Sequence, residues 1–247
     1  MSTLSSSSSR PFSSALVTGA SQGLGRALAL ALARQGVPLA LVARRIHPLQ
    51  AVVDEVTALG GRAVAIEADV TADAARIVGR ATAELGPIDL LVHNASTLGP
   101  TPLGPMLDLT DAEFARVVDV NLLAPFRLSR LVAGHMALRG HGTLVHISSD
   151  AAVEAYPGWG PYSVAKAGLD HLSRLWAAEL GAHGLQSVAI DPGEMDTAMH
   201  RAALPEADPA ELQRPEDVAQ RLLAALPLLE NGARVSLPEL SVPRSAA

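Results

Sequence analysis

Residues 15–33 read Ala-Leu-Val-Thr-Gly-Ala-Ser-Gln-Gly-Leu-Gly-Arg-Ala-Leu-Ala-Leu-Ala-Leu-Ala. An apolar run, a glycine-rich turn and a long Ala/Leu segment follow one another without a break. Ala15–Thr18 suits a buried strand. Residues 27–33 formally alternate at strand period, yet Ala and Leu are strong helix formers and Leu24, Leu28 and Leu32 recur every fourth residue, which predicts a helix. Between the two, Gly19, Gly23 and Gly25 are spaced Gly-x-x-x-Gly-x-Gly around Ser21, Gln22 and Leu24. Such a turn lets backbone N–H groups approach a pyrophosphate, and the helix N-terminus adds partial positive charge. The spacing differs from the familiar Gly-x-Gly-x-x-Gly fingerprint, so a bland turn before a helix stands as the alternative. The strand–turn–helix context favours the nucleotide.

Outward from this unit, short apolar runs alternate with segments of helical spacing. Strands are predicted at 15–18, 39–43, 63–66, 88–93, 143–148, 187–190 and 234–237, and helices near 23–35, 47–59, 72–85, 110–138, 162–182 and 215–226. That alternation implies parallel strands with right-handed crossovers, an α/β sandwich whose strands are covered on both faces.

Composition narrows the function. The chain has 247 residues with 49% hydrophobic and 18% charged, ordinary globular usage. It has no Cys, which excludes a disulfide framework, a thiolate nucleophile and a Cys-ligated metal. A net charge of −6 without a basic run leaves no footprint for nucleic acid. No apolar stretch approaches the roughly 18 residues of a membrane span, so a cytoplasmic protein with no membrane partner is expected. Residues 1–10 are Ser-rich and lack a signal-peptide core; they read as a disordered tail, and 11–247 as one dinucleotide-binding and catalytic domain.

The second strand ends in Ala43-Arg44-Arg45. An acid about 20 residues beyond the glycines would bind the ribose 2′-hydroxyl of NAD; Ala43 followed by two guanidinium groups favours the 2′-phosphate of NADP(H) over NAD(H). A solvated basic loop is the plain alternative. Further on, Tyr162 and Lys166 are four apart at the start of a predicted helix and so share a face. An adjacent ammonium favours a phenolate, which is expected to lower the Tyr162 pKa. The fifth strand runs into Ser148-Ser149 at the sheet edge where doubly wound folds bind ligands; a hydroxyl there can donate to a substrate carbonyl, or simply cap a turn.

Taken together, the glycine turn, Ser149 and Tyr162…Lys166 resemble the short-chain dehydrogenase/reductase family in its compact branch. Tyr162 follows Ser149 by 13 residues, the spacing common in that family, which singles out Ser149 over Ser148. Asp69-Val70, Asn94-Ala95, Asn121 and the run Pro192-Gly193-Glu194-Met195-Asp196-Thr197 match in order, so the resemblance covers residues 14 to about 237. It implies a single-domain Rossmann-type doubly wound parallel sheet of about seven strands. It further implies that Tyr162 is the general acid or base, that Ser149 holds the substrate oxygen, and that Lys166 binds the nicotinamide ribose and lowers the Tyr pKa. Asn121 would position a water linking Lys166 to solvent. Asp69 and Val70 would sit against adenine, Asn94 and Ala95 near the adenosine ribose, and Pro192, Gly193, Met195 and Thr197 at the nicotinamide end. A small-molecule carbonyl or alcohol substrate is implied, as is a homodimer or homotetramer built through the helices that carry Asn121 and Lys166. Two departures stand out: Ser96 replaces a glycine, and Gln22 stands where many NADP-preferring members are basic.

Eight His residues include no His-x-x-x-His or His-Glu-x-x-His pair, so no metal is expected. His93 and His146 fall near the ends of adjacent strands, where either can tune the site as a pH-sensitive group. Residues 150–161 and 195–210 flank the expected cleft, read as mobile and would set substrate choice; Trp159 is either substrate-facing or a lid on the core. Two rival functions are a catalytically silent NAD(P)-binding regulator and a sugar-nucleotide epimerase or dehydratase. The intact Tyr and Lys disfavour the first. The glycine spacing and the lack of room for a second substrate domain disfavour the other.

Overall fold

The computed structural model describes residues 11–240; the Ser-rich stretch 1–10 lies outside them. Seven strands form one parallel sheet: β1 (Ala15–Thr18), β2 (Leu39–Ala43), β3 (Ala63–Glu67), β4 (Leu90–His93), β5 (Gly142–Ile147), β6 (Leu185–Asp191) and β7 (Arg234–Ser236), in the order β3-β2-β1-β4-β5-β6-β7. The order reverses between β1 and β4, which opens a crevice above their C-terminal ends.

Helices cover both faces. On one, α1 (Gly23–Arg34), α2 (Ile46–Ala58) and α8 (Pro215–Ala225) bury Leu28, Leu32, Val52, Val56 and Leu222 against Val17, Leu41, Val92 and Val145. On the other, α3 (Ala74–Leu85) and α5 (Ala124–Arg139) bury Ile77, Leu128 and Met136 against Leu16, Val42, Leu91 and Leu144. The central strands therefore read as unbroken apolar runs because both faces are buried. Among the described residues no helix is long and apolar enough to cross a membrane.

Two local departures bear on the site. The helix expected over 110–138 is interrupted: α4 (Asp111–Val118) gives way to a π-helical turn, Asp119–Leu123, before α5 begins. The cause is Pro125, which has no N–H to give the Asn121 carbonyl and whose ring would clash with it in an α-helix. The segment read as a mobile flank also contains a short helix, α7 (Ala198–Ala203), capped by Thr197 Oγ1, which accepts from the His200 amide at 3.2 Å. The remaining long helix is α6 (Gly160–Leu180).

Candidate active site

The glycine turn is fastened to β4. Thr18 Oγ1 donates to the Val92 carbonyl (3.2 Å) and accepts from the Asn94 and Ala95 amides (3.0 and 3.1 Å). The Asn94 side-chain amide donates back to the Thr18 and Gly19 carbonyls (3.0 and 3.2 Å). Gly19 has φ +66, and a Cβ on it would lie 2.8 Å from Ala95 Cα. A Cβ on Gly25 would lie 2.4 Å from the Gly19 carbonyl oxygen, so that glycine serves the closeness of helix to turn. Gln22 opens α1 in extended backbone with no side-chain cap, and the first turn holds no acid. The leading amides of α1 are thus left for an outside anion.

Beside this turn lies a cavity of about 880 Å³, the size of a cofactor site. Every candidate residue from the sequence lines it except Gly25, Arg45 and Asn121. Gly25 packs behind the turn. Arg45 is the N-cap of α2, so only Arg44 of the two arginines reaches the cavity. Asn121 sits in the π-turn behind the wall: Ser96 Oγ and the Thr97 amide donate to its Oδ1 (2.7 and 3.2 Å), and its amide donates to the Thr97 carbonyl (2.8 Å). Ser96, the departure from glycine, is therefore a bonding partner of Asn121. These features fit a nicotinamide dinucleotide: a cradle that side chains would fill, free amides for its phosphates, and an arginine in place of an acid at the end of β2.

At one end of the cavity, Asp69 is partly desolvated, which raises its pKa. The Thr71 amide and hydroxyl and Arg116 outweigh this and hold it at about 2. At the opposite end, Tyr162 is buried in the first turn of α6, its ring edge-on to Trp159 with centroids 5.6 Å apart. Lys166, one turn on, is buried with Nζ 5.5 Å from the Tyr162 ring centroid and donates to the Ile147 carbonyl at 2.5 Å.

The electrostatics correct one expectation. Burial pushes the Tyr162 hydroxyl up to about 12, Asp150 and Asp191 add to it, and the neighbouring Ser149 and Ser96 hydroxyls, whose protons go to Asp150 and Asn121, offset only part of it. The lowering expected from Lys166 does not emerge. Lys166 is itself desolvated and brought down to about 8, against the pull of Asp170 and Asp191. Ser149 plays the capping part as well: its Oγ accepts from the Ala151 amide (3.2 Å) and donates to Asp150 Oδ1 (2.8 Å).

Three participants were not singled out by the sequence. Arg234 on β7 donates to Asp170 Oδ2 (2.8 Å) and to the Ser149 carbonyl (2.9 Å), and lies 3.7 Å from Asp191 Oδ2. Asp170 is four residues after Lys166, a helical spacing that signals it in hindsight. Asp191 ends β6, where burial raises its pKa.

The family pattern described as short chain dehydrogenase matches residues 13–208. A short chain dehydrogenase of Pseudocercospora fijiensis is 38% identical over 189 residues, 75% of this chain and 60% of its own length, so the chain spans less than two thirds of that relative. The 7alpha-hydroxysteroid dehydrogenase of Escherichia coli is 32% identical over 220 residues, 85% of each chain. Among solved structures, a 7 alpha-hydroxysteroid dehydrogenase complexed with NADH and 7-oxo glycochenodeoxycholic acid superposes with a TM-score of 0.82 at 29% identity, covering 90% of this chain and 91% of that one. The chain belongs to the short-chain dehydrogenase/reductase family, whose members are oxidoreductases acting on CH–OH groups.

Proposed function

We propose that this chain interconverts a ketone or aldehyde with its alcohol by hydride transfer, using NADP(H) in preference to NAD(H), with Tyr162 as general acid in reduction and base in oxidation. The observation that carries the reading is that Ser149, Tyr162 and Lys166 line the same cavity as the glycine turn and Arg44. The nicotinamide, when bound, supplies the hydride chemistry; the chain orients it and manages the proton.

With its pKa near 12, Tyr162 keeps its proton through the neutral range and has it to give as a carbonyl oxygen gains negative charge. Ser149 holds that oxygen from the other side. Lys166, near 8, is close enough to neutrality to return a proton to the phenolate. Asn121, fixed by Ser96 and Thr97, is a positioning residue behind this pair. Asp69 and Val70 hold the adenine, and Pro192, Gly193, Met195 and Thr197 the nicotinamide end. A carbonyl-substrate panel followed by NADPH oxidation should find turnover that Tyr162→Phe lowers by about 10³-fold or more, with cofactor affinity largely kept. Near-normal rates in that variant would overturn the acid/base role.

The chain is also proposed to form a homodimer or homotetramer through α5 and α6. Exposed Leu123, Phe126, Val164 and Leu175 on the π-turn and these helices support this.

A further inference from the structure

Ser149 has one hydroxyl proton, and in this structure it is directed at Asp150 Oδ1, 2.8 Å away. Asp150 is exposed at the cavity wall and is also held by Tyr156, whose hydroxyl donates to Oδ2 at 2.9 Å. A ketone oxygen only accepts hydrogen bonds. To receive one from Ser149 it has to take the proton from a carboxylate, an acceptor stronger than itself. A substrate with a hydroxyl next to its carbonyl removes this conflict. Its hydroxyl donates to Asp150, Ser149 turns its proton to the carbonyl oxygen, and the number of hydrogen bonds is conserved.

We propose that Asp150 is a specificity-determining residue that selects α-hydroxycarbonyl compounds, or the vicinal diols that are their reduced forms, over plain ketones. The inference rests on the oxidoreductase reading above and names the substrate class for it. The surroundings agree on charge. Glu154 and Glu194 add negative potential around Tyr156, while the nearby Arg201 is already paired with Asp196. Carbonyl compounds bearing a carboxylate or phosphate beside the reacting carbon are therefore disfavoured. Leu98, Trp159, Met199 and Leu204 add apolar surface to the wall, on which a hydrocarbon part of the substrate can rest.

The test compares pairs that differ by a hydroxyl in place of a methyl: 2-hydroxyacetophenone against propiophenone, and 3-hydroxy-2-butanone against 3-methyl-2-butanone. In the unaltered chain kcat/KM should favour the hydroxy member by about tenfold or more, because only that member offers Asp150 Oδ1 a hydroxyl donor to replace the Ser149 proton that turns to the carbonyl. Asp150→Ala should bring the ratio close to one. Asp150→Asn, which keeps an acceptor oxygen but no charge, should fall between and should improve benzoylformate relative to propiophenone. A ratio near one in the unaltered chain, or one that survives Asp150→Ala, would overturn the inference while leaving the oxidoreductase reading standing. A chain that binds the cofactor yet reduces no member of either pair and oxidises neither corresponding alcohol or diol would overturn both.

Discussion

His93 and His146 sit side by side on β4 and β5, their rings stacked with centroids 4.8 Å apart at 21°. His93 Nε2 meets Ser129 Oγ at 2.7 Å, whereas neither ring nitrogen of His146 has a partner among the described residues. Burial, reinforced by Lys166, holds His146 at about 3; burial, with His146 and Lys166 adding to it, lowers His93 well below the ordinary histidine value. Both are neutral in the folded chain at pH 5–7, while in the unfolded chain they take up protons near their ordinary value of about 6.5. The unfolded state then binds more protons, so the stability they contribute is complete above about pH 6.5 and is lost as pH falls toward their folded values. Urea denaturation between pH 7 and pH 5 should show stability falling by roughly 1 kcal/mol per pH unit for each imidazole once below its unfolded pKa. His146→Asn should remove about half of that slope, and an unchanged slope would exclude the pair as its source. Arg44 makes the other single-residue case. It faces the cavity while Arg45 caps α2, so Arg44→Ala should weaken NADPH binding by about tenfold with little effect on NADH. Fluorescence quenching by the two cofactors measures this, and tighter NADH binding by the unaltered chain would contradict it.

At the level of elements, the edge strand β7 is tied to the site by one side chain. Arg234 spans Asp170 of α6, Asp191 of β6 and the backbone of Ser149. Arg234→Ala would take the paired guanidinium from two buried carboxylates and leave Lys166 as their nearby cation, at a cost of about 3 kcal/mol in equilibrium unfolding. Asp170→Asn in the same chain should recover part of it; an Arg234→Ala chain as stable as the parent would show that the carboxylates are satisfied by other means. This network escaped the sequence because its members lie up to 85 positions apart and only the packing of the fold joins them. Local signals were more legible. The starts of β1 and β2 fall where the apolar runs begin, since a strand buried on both faces has few ways to conceal itself. The glycine turn and the Tyr162–Lys166 pair were legible because their spacing is set by a short stretch of backbone. The break at Asp119–Leu123 was legible only through Pro125, which the surrounding helical periodicity masked. The Tyr162 pKa lies beyond the sequence for a related reason: spacing shows that Lys166 is near, while burial depends on the whole fold.

For the whole molecule, the two faces of the sheet end differently. The face covered by α1, α2 and α8 is closed over an extensive apolar core. On the other face the π-turn, α5 and α6 leave Leu123, Phe126, Val164 and Leu175 at the surface, with Phe126 stacked on Trp176 at 6.3 Å and Arg130 over the Phe126 ring at 5.8 Å. Single exposed apolar residues are ordinary, but several on two neighbouring helices mark a surface suited to burial against another protein. In the proposed oligomer a second copy related by a twofold axis would meet that surface with the same residues and close a dimer, and a further twofold interface would make a tetramer. Light scattering should then give a mass two or four times the 25.5 kDa of the chain. Phe126→Asp places a charge in that interface and should shift the mass toward the monomer, since an unpaired buried charge costs several kcal/mol. Because α6 also carries Tyr162 and Lys166, loss of the partner should loosen the first turns of that helix and lower kcat more than it raises KM for the cofactor. A monomeric mass for the unaltered chain would remove the oligomer proposal and leave the site within one copy untouched.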